Sequence, residues 1–208
     1  GPATSTFRTH RLIKGKAGLQ NIESIDAVVD TKLKPADLAI LFGEVHDDET
    51  KWSATVANEA IIGYFFAAPS LRSSTVDRLR YFCKYLEHPD PVIAEDAYVE
   101  FANAPVDVVA QVAEDVSSPA LRQWIKSGKV PETRKGLYGL LLGLVQPTQL
   151  RKENADFLCQ EIDSPATDFR AGFDGILGGY LLLTGDAGLS HLQTKFLANS
   201  DSGVGDVR

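Results

Sequence analysis

The chain has 208 residues, 44% of them hydrophobic and 24% charged, with a net charge of −7. That length fits one domain of ordinary size, or one with a small appendage, and its core needs no disulfide or metal to hold it. The acidic balance, with no Lys/Arg cluster longer than a pair, argues against a nucleic-acid partner, and runs such as LYGLLLGLV (137–145) are too short to span a bilayer.

The chain contains no methionine and starts Gly1-Pro2, which resembles the scar of protease cleavage. The expectation is a natural start further upstream, with an export signal preceding it, and a periplasmic or envelope location in preference to the cytoplasm. TFRTHRLIKG (6–15), SIDAVVD (24–30) and DLAILFGEV (37–45) are short, apolar or β-branched, and punctuated by Gly and Pro, which predicts three strands. They form a small N-terminal β module over residues 1–50. GKAG (15–18) lacks the spacing of a phosphate-binding loop and reads as a hairpin turn.

From Lys51 the apolar period becomes helical: Val56, Ala60, Ile61, Tyr64, Phe65 and Ala68 share one face, ending before Pro69. A second helix is expected from Thr75 to Leu86. HPDP (88–91) interrupts it, with Asp90 as N-cap and Pro91 as first residue of the next helix. Ile93, Ala94, Ala97, Tyr98 and Phe101 give that helix its buried stripe. Helical runs follow at 106–116, 117–128, 153–162 and 188–197. The predicted helical domain covers 51–198, with a flexible tail at 199–208.

Tyr98, Tyr138 and Tyr180 are 40 and 42 residues apart, and Pro91 and Pro131 are 40 apart. A period of helix pairs near 40 residues is the signature of an α-solenoid. The segment LEHPDPVIAEDAYVEF (86–101) resembles a HEAT repeat, in which a first helix ends in Leu and a D-P-D-like turn opens the second. Leu86, Asp90, Ile93, Ala97 and Phe101 take the turn and core places. Ala94 departs from the Arg usual there; Arg134 fills that place in the second copy, where Val130 replaces the Asp, and the third copy is glycine-rich. The layout is similar to uncharacterised exported bacterial HEAT-like proteins. The expected fold is therefore mainly α, a short HEAT-like α-α superhelix of about three helix pairs preceded by a small β module.

The resemblance implies a binding surface on the second helices, lined by Glu95, Asp96, Glu100, Arg134, Lys135 and Asp174. The function expected is protein–protein interaction or scaffolding, with another protein as partner and no cofactor. The alternative is a metal-dependent hydrolase built on EVHDDE, with Glu44, His46, Asp47 and Asp48 as ligands. That loop has carboxylates and an imidazole but neither EF-hand nor His-Glu-x-x-His spacing, so a solvated acidic connector is the plainer reading.

The remaining reactive residues read as ordinary. Cys83 and Cys159 lie in amphipathic runs as free thiols, pairing only if the repeats bring them together. His10 falls in a strand, His88 at a turn and His191 on a terminal helix, none beside a nucleophile motif. Trp124 shares its helix face with Leu121 and Ile125 and reads as core. The glycines of 171–188, unusual inside helices, predict close helix packing at Gly175, Gly178 and Gly179.

Overall fold

The computed structural model describes residues 3–13, 22–29, 33–34, 37–47, 49–145, 147–165 and 170–198. GKAG, Asp48 and the tail 199–208 lie outside them. The chain divides into two compact units, Gly1–Arg72 and Ser73–Arg208.

In the first unit, four strands form one mixed sheet: β1 (Ala3–Arg8), β2 (Ser24–Val29), β3 (Ala39–His46) and β4 (Glu49–Val56), in the order β1-β2-β4-β3. β1 and β2 pair antiparallel from Ala3↔Val29 to Arg8↔Ser24. β3 and β4 form an antiparallel hairpin from Ala39↔Val56 to His46↔Glu49, turning through Asp47 at φ 47°, a left-handed conformation that Asp tolerates better than most. β2 then joins β4 in parallel, Val28 against Ser53 and Val29 against Ala54. Gly43 lies opposite Trp52, and a Cβ there would stand 2.8 Å from the indole, so the ring needs glycine beneath it. Helix α1 (Glu59–Ala67) follows, capped by the Asn58 side chain, which accepts from the Ile61 N–H at 2.9 Å. Ala27, Val29, Ile40, Ala57, Ile61 and Tyr64 are buried.

The second unit is helical: α2 (Thr75–Phe82), α3 (Pro91–Ala102), α4 (Val106–Ala110), α5 (Ser118–Lys126), α6 (Glu132–Leu144), α7 (Thr148–Asp163), α8 (Phe173–Thr184) and α9 (Asp186–Gln193), with a wide π-type turn at Thr194–Ala198. Asp90 caps α3 as its sequence predicts, accepting from the Val92 N–H at 3.0 Å with Pro91 at the first position. Ile93, Ala94, Ala97 and Phe101 are buried, while Tyr98 is half-buried. The run expected to reach Leu86 unwinds after Phe82 into a 3-10 turn at Cys83–Tyr85.

The closest helix contact is backbone on backbone. A Cβ on Gly136 would stand 2.7 Å from the Gly172 carbonyl oxygen, and one on Gly139 2.8 Å from the Ile176 Cα. On the facing helix, Cβ atoms at Gly175 and Gly179 would overlap the carbonyl oxygens of Gly136 and Gly139. Gly178, by contrast, has open space around it. Beside this seam Asn154 is fully buried and fully used. Its Oδ1 accepts from Arg122 Nη1 at 2.7 Å, and its Nδ2 donates to Ser118 Oγ at 3.2 Å and the Leu142 carbonyl at 3.1 Å.

The chain is thus an α/β fold, 58% helical and 16% strand, with a four-stranded mixed sheet and nine α-helices among the described residues. This corrects the expected mainly α superhelix preceded by a small β module. The physical reason lies at Glu49–Val56. That segment is a fourth strand, inserted between β2 and β3, where the apolar spacing predicts helix from Lys51 and through Val56. The helices also run from five residues in α4 to sixteen in α7, unlike a repeated pair of fixed length. Among the described residues no helix is long and apolar enough to cross a membrane.

Candidate functional site

The expected partner-binding residues are largely engaged within the chain. Arg134 is buried, 7% exposed, and donates to Glu95 at 2.6 Å while lying 3.7 Å from Glu87. Glu100 accepts from Arg78, and Lys135 pairs with Glu132 at 2.5 Å. Asp96 is half-buried on α3, and Asp174 is exposed in the first turn of α8. Of the acidic loop, Glu44 and His46 sit exposed on β3, 3.4 Å apart, and Asp47 occupies the hairpin turn. Among the described residues these do not converge as a ligand set.

A different cluster does. Cys159 and Asp163 are four residues apart on α7, so their side chains lie one turn apart on the same face. His191, near the end of α9, meets them there. Asp163 Oδ1 lies 3.2 Å from His191 Nε2, Cys159 Sγ 3.9 Å from the same nitrogen, and Sγ 3.6 Å from Asp163 Oδ2. One ligand atom from each residue falls within 4.8 Å of the other two. Asp156, Cys159, Gln160, Asp163 and Ser164 line a shallow depression open to solvent at this place. Tyr180 on α8 sets its ring edge-on to the imidazole, centroids 5.9 Å apart.

The charges around the cluster are unequal. Burial would raise the Asp163 carboxyl, but the Lys195 hydrogen bond and charge, with His191 and Cys159 assisting, hold it below the usual carboxylate value. Lys195 Nζ reaches Asp163 Oδ1 at 2.9 Å. The Cys159 thiol is pushed up, first by desolvation and then by the Asp163 charge, against a lowering contribution from Tyr180. A thiol so placed is no activated nucleophile. The geometry agrees: in a Cys-His-Asp relay the thiol and carboxylate sit on opposite ring nitrogens, whereas here both face Nε2.

What the arrangement matches is tetrahedral metal ligation. Zinc–ligand lengths of about 2.0–2.3 Å put neighbouring ligand atoms about 3.3–3.6 Å apart. The Oδ1–Nε2 separation of 3.2 Å and the Sγ–Nε2 separation of 3.9 Å lie close to that range, while the sulfur's 3.6 Å neighbour is the other carboxylate oxygen, Oδ2. Sequence reasoning missed this site. The Cys-x-x-x-Asp spacing on a helix was visible, but His191 comes 28 residues after Asp163, on a different helix.

The other reactive residues lie outside this cluster. Cys83 is a buried free thiol, unpaired with Cys159, which is free as well. His10 is exposed just beyond the end of β1, and His88 Nδ1 accepts from the Asp90 N–H at 3.0 Å. Trp124 is half-buried against the Tyr138 ring, centroids 5.1 Å apart. Comparison with family models, curated proteins and solved structures returns no match for this chain.

Proposed function

We propose that this chain binds a divalent transition metal ion of the zinc class through Cys159, Asp163 and His191. The observation that carries this reading is that a sulfur, a carboxylate oxygen and one imidazole nitrogen, brought by two helices, lie within 4.8 Å of one another. A thiolate and an imidazole favour zinc or cobalt over magnesium or calcium, which prefer all-oxygen cages. Three protein ligands leave the fourth tetrahedral position to water from the adjoining depression, as in reactive rather than closed structural zinc sites. Tyr180 contributes to the setting of the thiol, and its ring flanks His191.

The test is a cobalt(II) titration of the metal-free protein, reading the thiolate-to-cobalt charge-transfer absorption. One equivalent should bind to the wild type, and Cys159→Ser should lose the charge-transfer band with its circular dichroism unchanged. His191→Ala should lose most of the affinity. A wild-type protein that develops no such band, or a Cys159→Ser variant that keeps it, overturns the reading.

Recognition of another protein is a second reading, favoured by one observation. β3 ends the sheet and exposes Phe42 and Val45, at 40% and 63%. An extended peptide adding to that edge would gain main-chain hydrogen bonds and two apolar contacts. A partner captured by the wild type and equally by a Phe42→Asp, Val45→Asp variant would remove the edge from consideration.

A further inference from the structure

We propose that Lys195 is a competitor built into this site: its ammonium holds Asp163 until a divalent cation displaces it, so that metal occupancy is transmitted to the turn Thr194–Ala198. This rests on the metal reading above and assigns that site a means of regulation.

One carboxylate oxygen serves two partners. Asp163 Oδ1 faces the imidazole, 3.2 Å from His191 Nε2, and the same Oδ1 is held by Lys195 Nζ at 2.9 Å. A cation that ligates Nε2 and reaches for this carboxylate oxygen arrives where the ammonium already acts as counter-ion. With Cys159 ionised, Cys159 and Asp163 together carry two negative charges, which a divalent ion balances in full. The ammonium is then surplus, and it repels the metal. At a separation of about 5 Å in a solvent-exposed setting, charges of +2 and +1 oppose each other enough to weaken binding about tenfold.

The consequence reaches beyond one side chain. Lys195 sits one helical turn after His191, so ligand and competitor belong to the same stretch of chain. It lies in the five-residue π-type turn that follows α9, a wide turn of the kind often found at functional positions. Its neighbour Phe196 packs edge-on against Phe173 of α8, with ring centroids 6.3 Å apart. Release of Lys195 therefore removes the turn's bond to α7, leaving the Phe196–Phe173 contact to α8 and the Thr194 hydroxyl, which donates to the Ser190 carbonyl at 3.0 Å.

Two variants test this against the wild type by cobalt(II) titration, with hydrogen exchange followed at the amides of 194–198. Lys195→Gln removes the charge and should bind cobalt about tenfold more tightly. Lys195→Arg keeps a cation on Asp163 and should bind as the wild type does. Saturating metal should speed exchange in this turn for the wild type, and should leave Lys195→Gln unchanged. Equal or weaker binding by Lys195→Gln, with the wild type still binding, overturns the competitor role alone. Binding by none of the three proteins, each with native circular dichroism, overturns the metal reading on which it stands.

Discussion

Tyr138 on α6 donates its phenolic hydrogen to the Glu87 carboxylate at 2.5 Å, joining residues 51 apart in the chain. Glu87 belongs to the turn between α2 and α3 and also lies 3.7 Å from the Arg134 guanidinium. One carboxylate thus answers a fully buried phenol and a buried cation, both carried by α6. Removing it leaves the phenol with the Leu86 carbonyl alone, at 3.4 Å, and the guanidinium with Glu95 alone. Glu87→Ala is expected to cost about 2 kcal/mol in urea unfolding. Glu95→Ala, whose carboxylate is largely exposed, should cost about 1 kcal/mol or less. Equal losses for the two would show that the Tyr138 bond adds nothing.

The same burial makes the protein sensitive to alkali. Desolvation, followed by the Asp115 charge, pushes the Cys83 thiol up from 9.0 to about 12. Desolvation and the bond to Glu87 raise the Tyr138 phenol well above its ordinary 10.0. Both groups ionise first in the unfolded chain, so rising pH draws protons from the unfolded state and favours it. Their contribution is fully present below pH 9.0, the unfolded thiol's value, and is lost as pH rises towards 12. Urea midpoints should therefore hold to about pH 8 and fall steeply by about pH 10.5, with a shallower fall in Cys83→Ala. An unchanged alkaline slope in that variant would count against the thiol.

The glycine seam between α6 and α8 separates two kinds of alanine substitution. Gly139→Ala and Gly179→Ala insert a methyl into facing backbone, which no side-chain rotation relieves. Each should cost about 3 kcal/mol or more, or prevent folding. Gly178→Ala, on the same helix with open space around it, should be neutral or stabilise by up to about 1 kcal/mol through helix propensity. A Gly178 variant as unstable as Gly179→Ala would show that the backbone contact across the seam does not set the cost.

Asn154 offers a polar counterpart. Asn154→Leu keeps the volume but leaves Arg122, Ser118 and the Leu142 carbonyl without its hydrogen bonds. A loss of about 2–4 kcal/mol is expected in chemical unfolding. A loss below about 1 kcal/mol would show that water replaces the amide without cost.

The metal reading carries a simple chemical test. Cys159 is half-buried beside the depression, whereas Cys83 is buried in the helical core. A thiol reagent should label Cys159 in the folded protein and reach Cys83 only after unfolding. Zinc should slow the labelling of Cys159, because the metal occupies its sulfur. Labelling at an unchanged rate under saturating zinc would remove Cys159 from the ligand set.

What was legible in the sequence is what neighbours decide. Asp90 and Pro91 announce a helix start through an acceptor side chain beside a residue with no N–H, and α3 begins there. Gly175 and Gly179 announced close packing because glycine inside a helix is otherwise unfavourable, although Gly178 shared the signal without the contact. Trp52 and Ala54 alternate with exposed neighbours, but too briefly to outweigh the helical spacing that begins at Ala60, so β4 was missed. The pairing of Val28 with Ser53 joins segments 25 residues apart, and local pattern carries no record of it. His191 meets Cys159 for a similar reason: two helices with a third between them in the chain fold back to one point.

The parallel pairing of β2 with β4 has a consequence in time. As the chain leaves the ribosome, β1 and β2 can pair as soon as they emerge, yet two strands alone are marginal in water. β3 comes next but finds no neighbour in the sheet, because its partner β4 has not yet been made. Only when Val56 has emerged can β4 pair with β2 on one side and β3 on the other. A synonymous codon change further downstream, slowing translation while residues 46–56 emerge, would therefore prolong the interval in which Phe42 and Val45 stand unpaired.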